Sequence, residues 1–339
     1  MTGKDIGDRK MCVAASSRPI WEQPALCLEK VRYIGDEIAA VAAVDEDTAM
    51  EALELIRVEY TQLPAVFDPF EAMEPGAPLI HDGFEKNISN RVLSESGNVE
   101  QGFKESYRVF EHRYETGYQA HCAMETHSSI GVWGLDGRVT LYTSTQSPYN
   151  LRSILAYVLG LAEEKVRLII PKVGGGFGGK AELFPMDVCC VALSKKTGRV
   201  KIVLSREEEF GTTRVSHPII FDMKTGVNRD GTLVAKQVKC IMDGGAYSGS
   251  GLAGPFLSTL FLGIDYKVPN ISLSSVRVYT NKTVAGARRG YTVPQAHFAE
   301  NMHMDLIARE LGIDPVQLRR DRKRRLSFRG QSRSQHNSG

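Results

Sequence analysis

The feature that most constrains this chain is a run of five glycines around one phenylalanine, Val173-Gly174-Gly175-Gly176-Phe177-Gly178-Gly179-Lys180. The run follows a predicted strand over residues 166–170 and precedes a predicted helix over residues 182–196. Because glycine has no side chain, an anion or another chain segment can approach the backbone N–H groups of such a loop closely. We name residues 174–179 the glycine loop. The sequence around it therefore predicts a strand, an open loop and a helix in succession.

Two general phosphate-binding motifs partly match the glycine loop. Gly174, Gly176 and Gly179 spell the G-x-G-x-x-G pattern of dinucleotide-binding proteins, but no acidic residue follows at the spacing expected for a ribose partner. Lys180 completes most of a phosphate-binding loop, but Ala181 lacks the hydroxyl that would bind Mg²⁺. A nucleotide-dependent dehydrogenase that uses residues 174–179 is therefore one alternative, and a glycine turn needed only for packing is another.

A second group of polar residues lies between residues 119 and 127. If this segment is a strand, Gln119, His121, Ala123, Glu125 and His127 share one face. Two histidines and a glutamate on one face suggest a metal site. The alternative, which we favour for this segment alone, is a polar strand whose side chains are satisfied by neighbouring loops.

A third group is the glycine-bounded segment that leads into the predicted last helix. It contains the pair Arg288-Arg289, followed by Tyr291. Paired guanidinium groups beside an aromatic ring can bind a phosphate or stack on a planar ligand. A solvated surface pair is the alternative.

Several local signals predict the remaining elements. Asp136-Gly137 and Asp230-Gly231 each separate two strand-like segments and are typical of β-hairpins. Ser147-Pro148 predicts the start of a helix that ends near Leu159, and helical spacing of apolar residues predicts a last helix over residues 294–311. Residues 31–60 are predicted to form a compact unit of short strands and one helix.

The net charge of +2 depends on the arginine-rich segment from Arg319 to Gly339, so the rest of the chain is slightly acidic. This distribution does not favour nucleic-acid binding. The chain contains no apolar stretch of about 18 residues, which argues against membrane insertion. Its six cysteines show no C-x-x-C spacing, so reduced thiols and a cytoplasmic location are expected.

Taken in order, these segments resemble the large molybdopterin-binding subunit of the xanthine dehydrogenase/aldehyde oxidase family of molybdenum hydroxylases. The match runs from about residue 31 to residue 320, and residues 1–7 resemble hydroxybenzoyl-CoA-reductase-like members. Besides the glycine run, the matching motifs are Gln119-x-His-x-x-x-Glu-Thr-His127, Thr145-Gln146-Ser147-Pro148, Asp243-Gly244-Gly245-Ala246-Tyr247, Tyr266-Lys-Val-Pro-Asn270 and Ala287-Arg-Arg-Gly-Tyr-Thr-Val-Pro-Gln295.

The resemblance implies an α+β fold with a defined order of domains. A partial α/β hammerhead domain would span residues 1–79 and a linker residues 80–99. The first part of the molybdopterin-binding domain would span residues 100–320, and a disordered basic tail residues 321–339.

The resemblance also implies roles for residues near the cofactor. Gln119 corresponds to the glutamine that hydrogen-bonds a molybdenum oxo ligand, which makes it the candidate catalytic residue. Gly175, Gly176, Phe177 and Gly178 correspond to the loop that touches the molybdenum centre. The metal would be held by the pterin dithiolene, with no direct protein ligand.

Four further positions bear on cofactor and substrate. Arg289 corresponds to an arginine near the cofactor, and Tyr291 to an aromatic residue that stacks on the substrate. Ala181 occupies the place of a purine-binding glutamate, and the Leu257 region that of a purine-binding arginine. Both charged purine contacts are missing, so an aldehyde, an N-heterocycle or an aromatic CoA thioester is expected rather than xanthine.

The family implies a molybdenum–molybdopterin cofactor, with a cytosine dinucleotide form as one option, and a [2Fe-2S] cluster and FAD on partner subunits of a hetero-oligomer. The family's catalytic glutamate has no counterpart in this chain. We therefore expect a truncated or frame-shifted product that is inactive alone. The remaining alternative is an inactive remnant that only binds partner subunits.

Overall fold

The computed structural model describes residues 1–11 and 23–322. These residues form ten α-helices and nine strands, with short 3-10 turns at Glu85–Asn87, Glu163–Lys165 and Gly249–Ala253. The helices are α1 Gly3–Ile6, α2 Glu46–Glu54, α3 Pro69–Ala72, α4 Val99–Glu105, α5 Pro148–Leu159, α6 Pro185–Thr197, α7 Arg206–Thr212, α8 Gly254–Ile264, α9 Val293–Leu311 and α10 Pro315–Arg322. The strands are β1 Ile88–Ser96, β2 Arg108–Thr116, β3 Ser128–Trp133, β4 Val139–Thr143, β5 Val166–Ile169, β6 Arg199–Val203, β7 Ile219–Val227, β8 Leu233–Asp243 and β9 Asn270–Val278.

One sheet has four strands in the order β5-β4-β3-β6. β3 and β4 pair antiparallel, which confirms the predicted hairpin at Asp136-Gly137, and β5 joins parallel to β4. Helix α6 packs on β3 and β6, and α5 packs on β5. Leu141, Leu155, Val188 and Val191 are fully buried between these elements.

The other sheet has five strands in the order β1-β9-β8-β7-β2. β7 and β8 pair antiparallel, which confirms the second predicted hairpin, and β8 and β9 pair parallel. The connection from β8 to β9 contains α8, as expected for a parallel crossover. Helices α8 and α9 cover the sheet and bury Phe221, Met242 and Ala299.

The predicted helix ends agree with the local chemistry. α5 begins at Pro148 directly after Ser147 and ends at Gly160, which has a φ of 67°. α9 ends in the same way at Gly312, also with a φ of 67°. Glycine adopts this left-handed backbone without a steric cost, so it terminates both helices. No helix among the described residues is long and apolar enough to cross a membrane.

The predicted strands within residues 31–60 are wrong. Among the described residues before α3, the only pairings are isolated bridges, Thr2 with Ala39 and Lys10 with Pro24. Helix α2 matches the predicted helix but buries none of its residues. An extended segment needs a neighbouring strand to form a hydrogen-bonded ladder, and these segments have none in the described chain.

The predicted linker over residues 80–99 is also wrong. β1 pairs along its whole length with β9 and forms one edge of the five-stranded sheet. At the other end, α10 extends to Arg322, so residues 321 and 322 of the predicted disordered tail are helical. The rest of that tail lies outside the described residues.

We predict that Gly131→Ala destabilises the protein by about 1–3 kcal/mol, because a Cβ at this position of β3 would lie 2.6 Å from the carbonyl oxygen of Cys190 in α6. Urea denaturation monitored by circular dichroism measures the change. Gly117→Ala is the control, since a Cβ there meets nothing within 4 Å. Equal unfolding midpoints for the two variants would contradict the prediction.

Candidate functional site

The structure brings the three predicted groups of residues together. The N–H of Arg289 donates to the carbonyl oxygen of Phe177 at 2.8 Å, which joins the third segment to the glycine loop. Arg288 Nε donates to the carbonyl oxygen of Ala120 at 3.3 Å, which joins the third segment to the second. The backbone of Gln119 is in turn held by Ser216 through two hydrogen bonds. Segments far apart in the sequence therefore form one site.

Close packing explains why the loop consists of glycines. A Cβ on Gly178 would lie 2.5 Å from the carbonyl oxygen of Ala287, and one on Gly179 would lie 2.8 Å from the His121 ring. Gly178 also has a φ of +100°, which side chains rarely permit. Gly176 is equally close to Gln146. Close packing, one of the alternatives that the sequence leaves open, therefore accounts for part of the glycine content of this loop.

The loop nevertheless keeps free hydrogen-bond donors. The N–H of Gly174 donates to Glu125 Oε2 at 2.8 Å, and that of Gly178 to Gln146 Oε1 at 2.9 Å. Within the described chain, the N–H groups of Gly175, Gly176 and Phe177 have no hydrogen-bond acceptor. Three consecutive backbone donors are therefore left without a partner in the described chain.

The nucleotide-binding alternative loses its structural basis. The helix predicted from residue 182 begins at Pro185, so the glycine loop does not form its N-terminus. Lys180 is 1% exposed, and its Nζ lies 2.5 Å from Glu125 Oε1. A phosphate-binding loop needs its lysine free to reach a phosphate. This lysine is a buried structural cation.

Residues 119–127 are not a strand, contrary to the prediction. Cys122 has a φ of 54° and interrupts the extended backbone, so alternate side chains do not share a face. His121 Nε2 lies 2.7 Å from the carbonyl oxygen of Ala287, and His127 Nδ1 lies 2.9 Å from Glu209 Oε1. The described residues contain no cluster of histidine, cysteine and acidic side chains that could hold a metal ion. Both histidines instead form hydrogen bonds that fix the segments around the site.

Glu125 is the electrostatic partner of the glycine loop. Its carboxylate accepts hydrogen bonds from Lys180, Ser144 and the backbone of Gly174. Partial burial raises the pKa of Glu125, but these hydrogen bonds outweigh it and hold the pKa below its ordinary value of 4.5. Glu125 is therefore ionised at neutral pH and fixes the start of the loop.

A cavity of about 330 Å³ lies beside the joined segments. Of the predicted site residues, Gln119, Arg289 and Tyr291 line this cavity, whereas Phe177 and Ala181 do not. The guanidinium of Arg289 lies over the Phe177 ring, 5.1 Å from its centre, and so links the cavity to the glycine loop. Phe177 itself is half-exposed.

Unusual backbone conformations concentrate in this region. Three of the described non-glycine residues with positive φ are Cys122, Phe177 and Tyr291, one in each of the joined segments. Such conformations persist only where surrounding contacts enforce them. Burial raises the pKa of Tyr291 to about 12, so its phenol is neutral at physiological pH.

Sequence reasoning assigned no role to several residues of the site. Gln146 accepts hydrogen bonds from Gly178 and Lys180, although its Thr-Gln-Ser-Pro motif served only to support the resemblance. Arg288 also lines the cavity, whereas the sequence marks it only as half of an arginine pair. Nothing in the sequence marks Ser216, which holds Gln119.

Together, the fold and the site define an α+β protein that offers backbone and guanidinium donors to a planar or anionic ligand. Its described part contains no metal-ligating cluster. Comparison with known families agrees. Residues 80–322 match the molybdopterin cofactor-binding domain, and residues 1–64 match the α/β hammerhead domain of aldehyde oxidase and xanthine dehydrogenase. The chain therefore belongs to the molybdenum-dependent oxidoreductases of the xanthine dehydrogenase/aldehyde oxidase family, which confirms the resemblance and the predicted fold class.

Individual relatives support the assignment. The chain is 41% identical to a probable xanthine dehydrogenase subunit of Bacillus subtilis, over 88% of this chain and 40% of the relative. It is 37% identical to the nicotinate dehydrogenase large molybdopterin subunit of Eubacterium barkeri, over 88% of this chain and 70% of that protein. The crystal structure of quinoline 2-oxidoreductase from Pseudomonas putida 86 superposes with a TM-score of 0.89 at 28% identity, over 95% of this chain and 42% of that one. The chain thus spans less than half the length of two of these three proteins.

We predict that Glu125→Gln lowers the free energy of unfolding by about 2 kcal/mol at pH 7, because it leaves the buried Lys180 cation unpaired. Because the pKa of Glu125 is lower in the folded protein, its carboxylate stabilises the fold at pH values above its ordinary pKa of 4.5. This stabilisation is lost as the pH falls through the lowered pKa. Urea denaturation between pH 7 and pH 3 should therefore show the difference between variant and wild type shrinking with acid. A difference that does not depend on pH would contradict this role.

Proposed function

We propose that this chain is the molybdenum-cofactor-binding part of a hydroxylase that oxidises an aldehyde, an N-heterocycle or an aromatic CoA thioester. The observation that carries the proposal is the row of three unpaired backbone donors in the glycine loop, next to a cavity lined by Gln119, Arg289 and Tyr291. Family membership makes a pterin-held molybdenum the expected ligand for these donors.

The residues present fit such a cofactor. Gly175, Gly176 and Phe177 would donate backbone hydrogen bonds to its oxygen atoms, and the amide of Gln119 would donate from the cavity side. A cofactor that brings its own metal ligands needs donors rather than cysteine, histidine or carboxylate ligands from the chain. When bound, the molybdenum–pterin group supplies the two-electron redox chemistry.

The other predicted residues would orient the cofactor and substrate. Arg289, with its guanidinium stacked on Phe177, would carry positive charge to the edge of the cofactor site. The neutral ring of Tyr291 would stack on a planar substrate. Gly178 would allow the loop to approach Ala287 closely and so set the position of the donors.

Electrons from the substrate would leave through a [2Fe-2S] subunit and an FAD subunit of a larger complex. Support for partners comes from the relatives, two of which are themselves named as subunits. A cytosine dinucleotide form of the pterin and a cytoplasmic location stay predictions from the sequence.

A chain that only binds partner subunits is the competing function. Purification of the complete enzyme, followed by metal analysis and an oxidation assay, separates the two. Molybdenum and substrate oxidation support the proposal, whereas a stable complex without molybdenum supports the binding-only function.

For substrate choice, we predict a kcat/KM at least about tenfold higher for benzaldehyde than for xanthine. By the resemblance, Ala181 and the Leu257 region would stand where the family has charged purine contacts, and each unpaired polar group of a buried ligand costs roughly 1–3 kcal/mol. Steady-state assays of the complete enzyme with an artificial electron acceptor give both values. A higher value for xanthine would show that other residues supply the purine contacts.

For the glycine loop, we predict that Gly178→Val lowers the molybdenum content of the complete enzyme about tenfold, equivalent to about 1.4 kcal/mol of cofactor binding. The new side chain would collide with the carbonyl oxygen of Ala287 and strain a φ of +100°. Metal analysis of the purified complex measures the loss. Gly137→Val is the matched control, because it imposes the same kind of strain at a φ of +75° in a hairpin with open space around it. Wild-type molybdenum in the Gly178 variant would refute the assignment of the loop.

A further inference from the structure

Two arginines line the cavity beside the glycine loop, and the proposed cofactor site uses only Arg289. Arg288 and Arg289 both line it, and neither forms an ion pair among the described residues. Glu115 is the one acidic side chain among the lining residues, and it is exposed. The described lining therefore has a net charge of +1 and would attract an anion.

The two arginines face different partners. The guanidinium of Arg289 lies over the Phe177 ring and so belongs to the glycine loop. Arg288 is half-buried, and its Nε donates to the carbonyl oxygen of Ala120, the neighbour of Gln119. This hydrogen bond anchors the guanidinium beside Gln119. The terminal nitrogens of Arg288 have no acceptor among the described residues.

An anchored guanidinium with both terminal nitrogens free matches the geometry of a carboxylate, which accepts two parallel hydrogen bonds. Tyr291 lines the same cavity with a neutral ring, a surface for stacking a planar group. A ligand that satisfies both residues is a flat aromatic ring that carries a carboxylate.

We propose that Arg288 is a specificity residue that binds the carboxylate of an aromatic or heteroaromatic acid while the ring of that acid stacks on Tyr291. This inference rests on the proposed function and narrows its substrate class to ring compounds with a negative charge.

The test compares pyridine-3-carboxylate with its neutral carboxamide as probes. Isothermal titration calorimetry on the complete, molybdenum-loaded enzyme measures the Kd of each. Wild type should bind the carboxylate at least about tenfold more tightly, and Arg288→Gln should remove this difference by weakening the carboxylate alone. Arg288→Lys should restore part of it, because lysine keeps the charge but loses the two-pronged geometry. Arg138→Gln is the control, since Arg138 is an exposed arginine of the β3–β4 hairpin.

Molybdenum content of every variant separates the possible failures. If wild type holds no molybdenum, the proposed function is wrong. If wild type holds molybdenum but binds the two probes equally, or if Arg288→Gln leaves carboxylate binding unchanged, only the carboxylate inference is overturned. A loss of molybdenum in Arg288→Gln, with both probes weakened alike, would show that Arg288 binds a phosphate of the cofactor and would also overturn the inference.

Discussion

The rest of the site depends on the hydrogen bonds of one buried arginine, Arg277. It lies in β9 and is fully buried, yet its guanidinium donates to the carbonyl oxygens of Gly244, Tyr247, Ser248 and Ala285 at 2.7–3.2 Å. A buried charge is tolerated only where its hydrogen-bonding groups are satisfied. These loops are therefore shaped around one side chain, which fixes them to the five-stranded sheet.

The shape of these loops is transmitted to the cavity. A Cβ on Gly244 would lie 2.5 Å from the Arg277 guanidinium carbon, which explains the first glycine of the Asp-Gly-Gly motif. The carbonyl of Ala285, held by Arg277, precedes the segment that carries Arg288 and Tyr291. Arg277 Nε also donates to His217, which stacks against Tyr291 with an interplanar angle of 26°. Burial, and the nearby Arg277 charge, lower the pKa of His217, so it stays neutral behind the site.

Sequence reasoning succeeded where a local signal determines local structure. The hairpins at Asp136-Gly137 and Asp230-Gly231 and the helix that opens at Pro148 form because their turn and capping residues favour one backbone path. It failed for residues 119–127, where alternating polar residues resemble a strand but long-range contacts with Glu209 and Ala287 decide the backbone. Nor could it find Arg277, because an arginine in a strand is ordinarily exposed and nothing nearby in the sequence marks its buried acceptors.

The histidines and glutamate that resemble metal ligands in the sequence have another use. His121 packs against Gly179, Glu125 holds Gly174 and the Lys180 cation, and His127 is paired with Glu209. Each is committed to holding the glycine loop in a conformation that leaves three backbone donors free. Because these side chains are occupied, the chain can offer hydrogen bonds and positive charge but not metal ligation in its described part. The polar side chains around the loop therefore position backbone donors, and the proposed cofactor, which brings its own metal ligands, would need only such donors from this part of the chain.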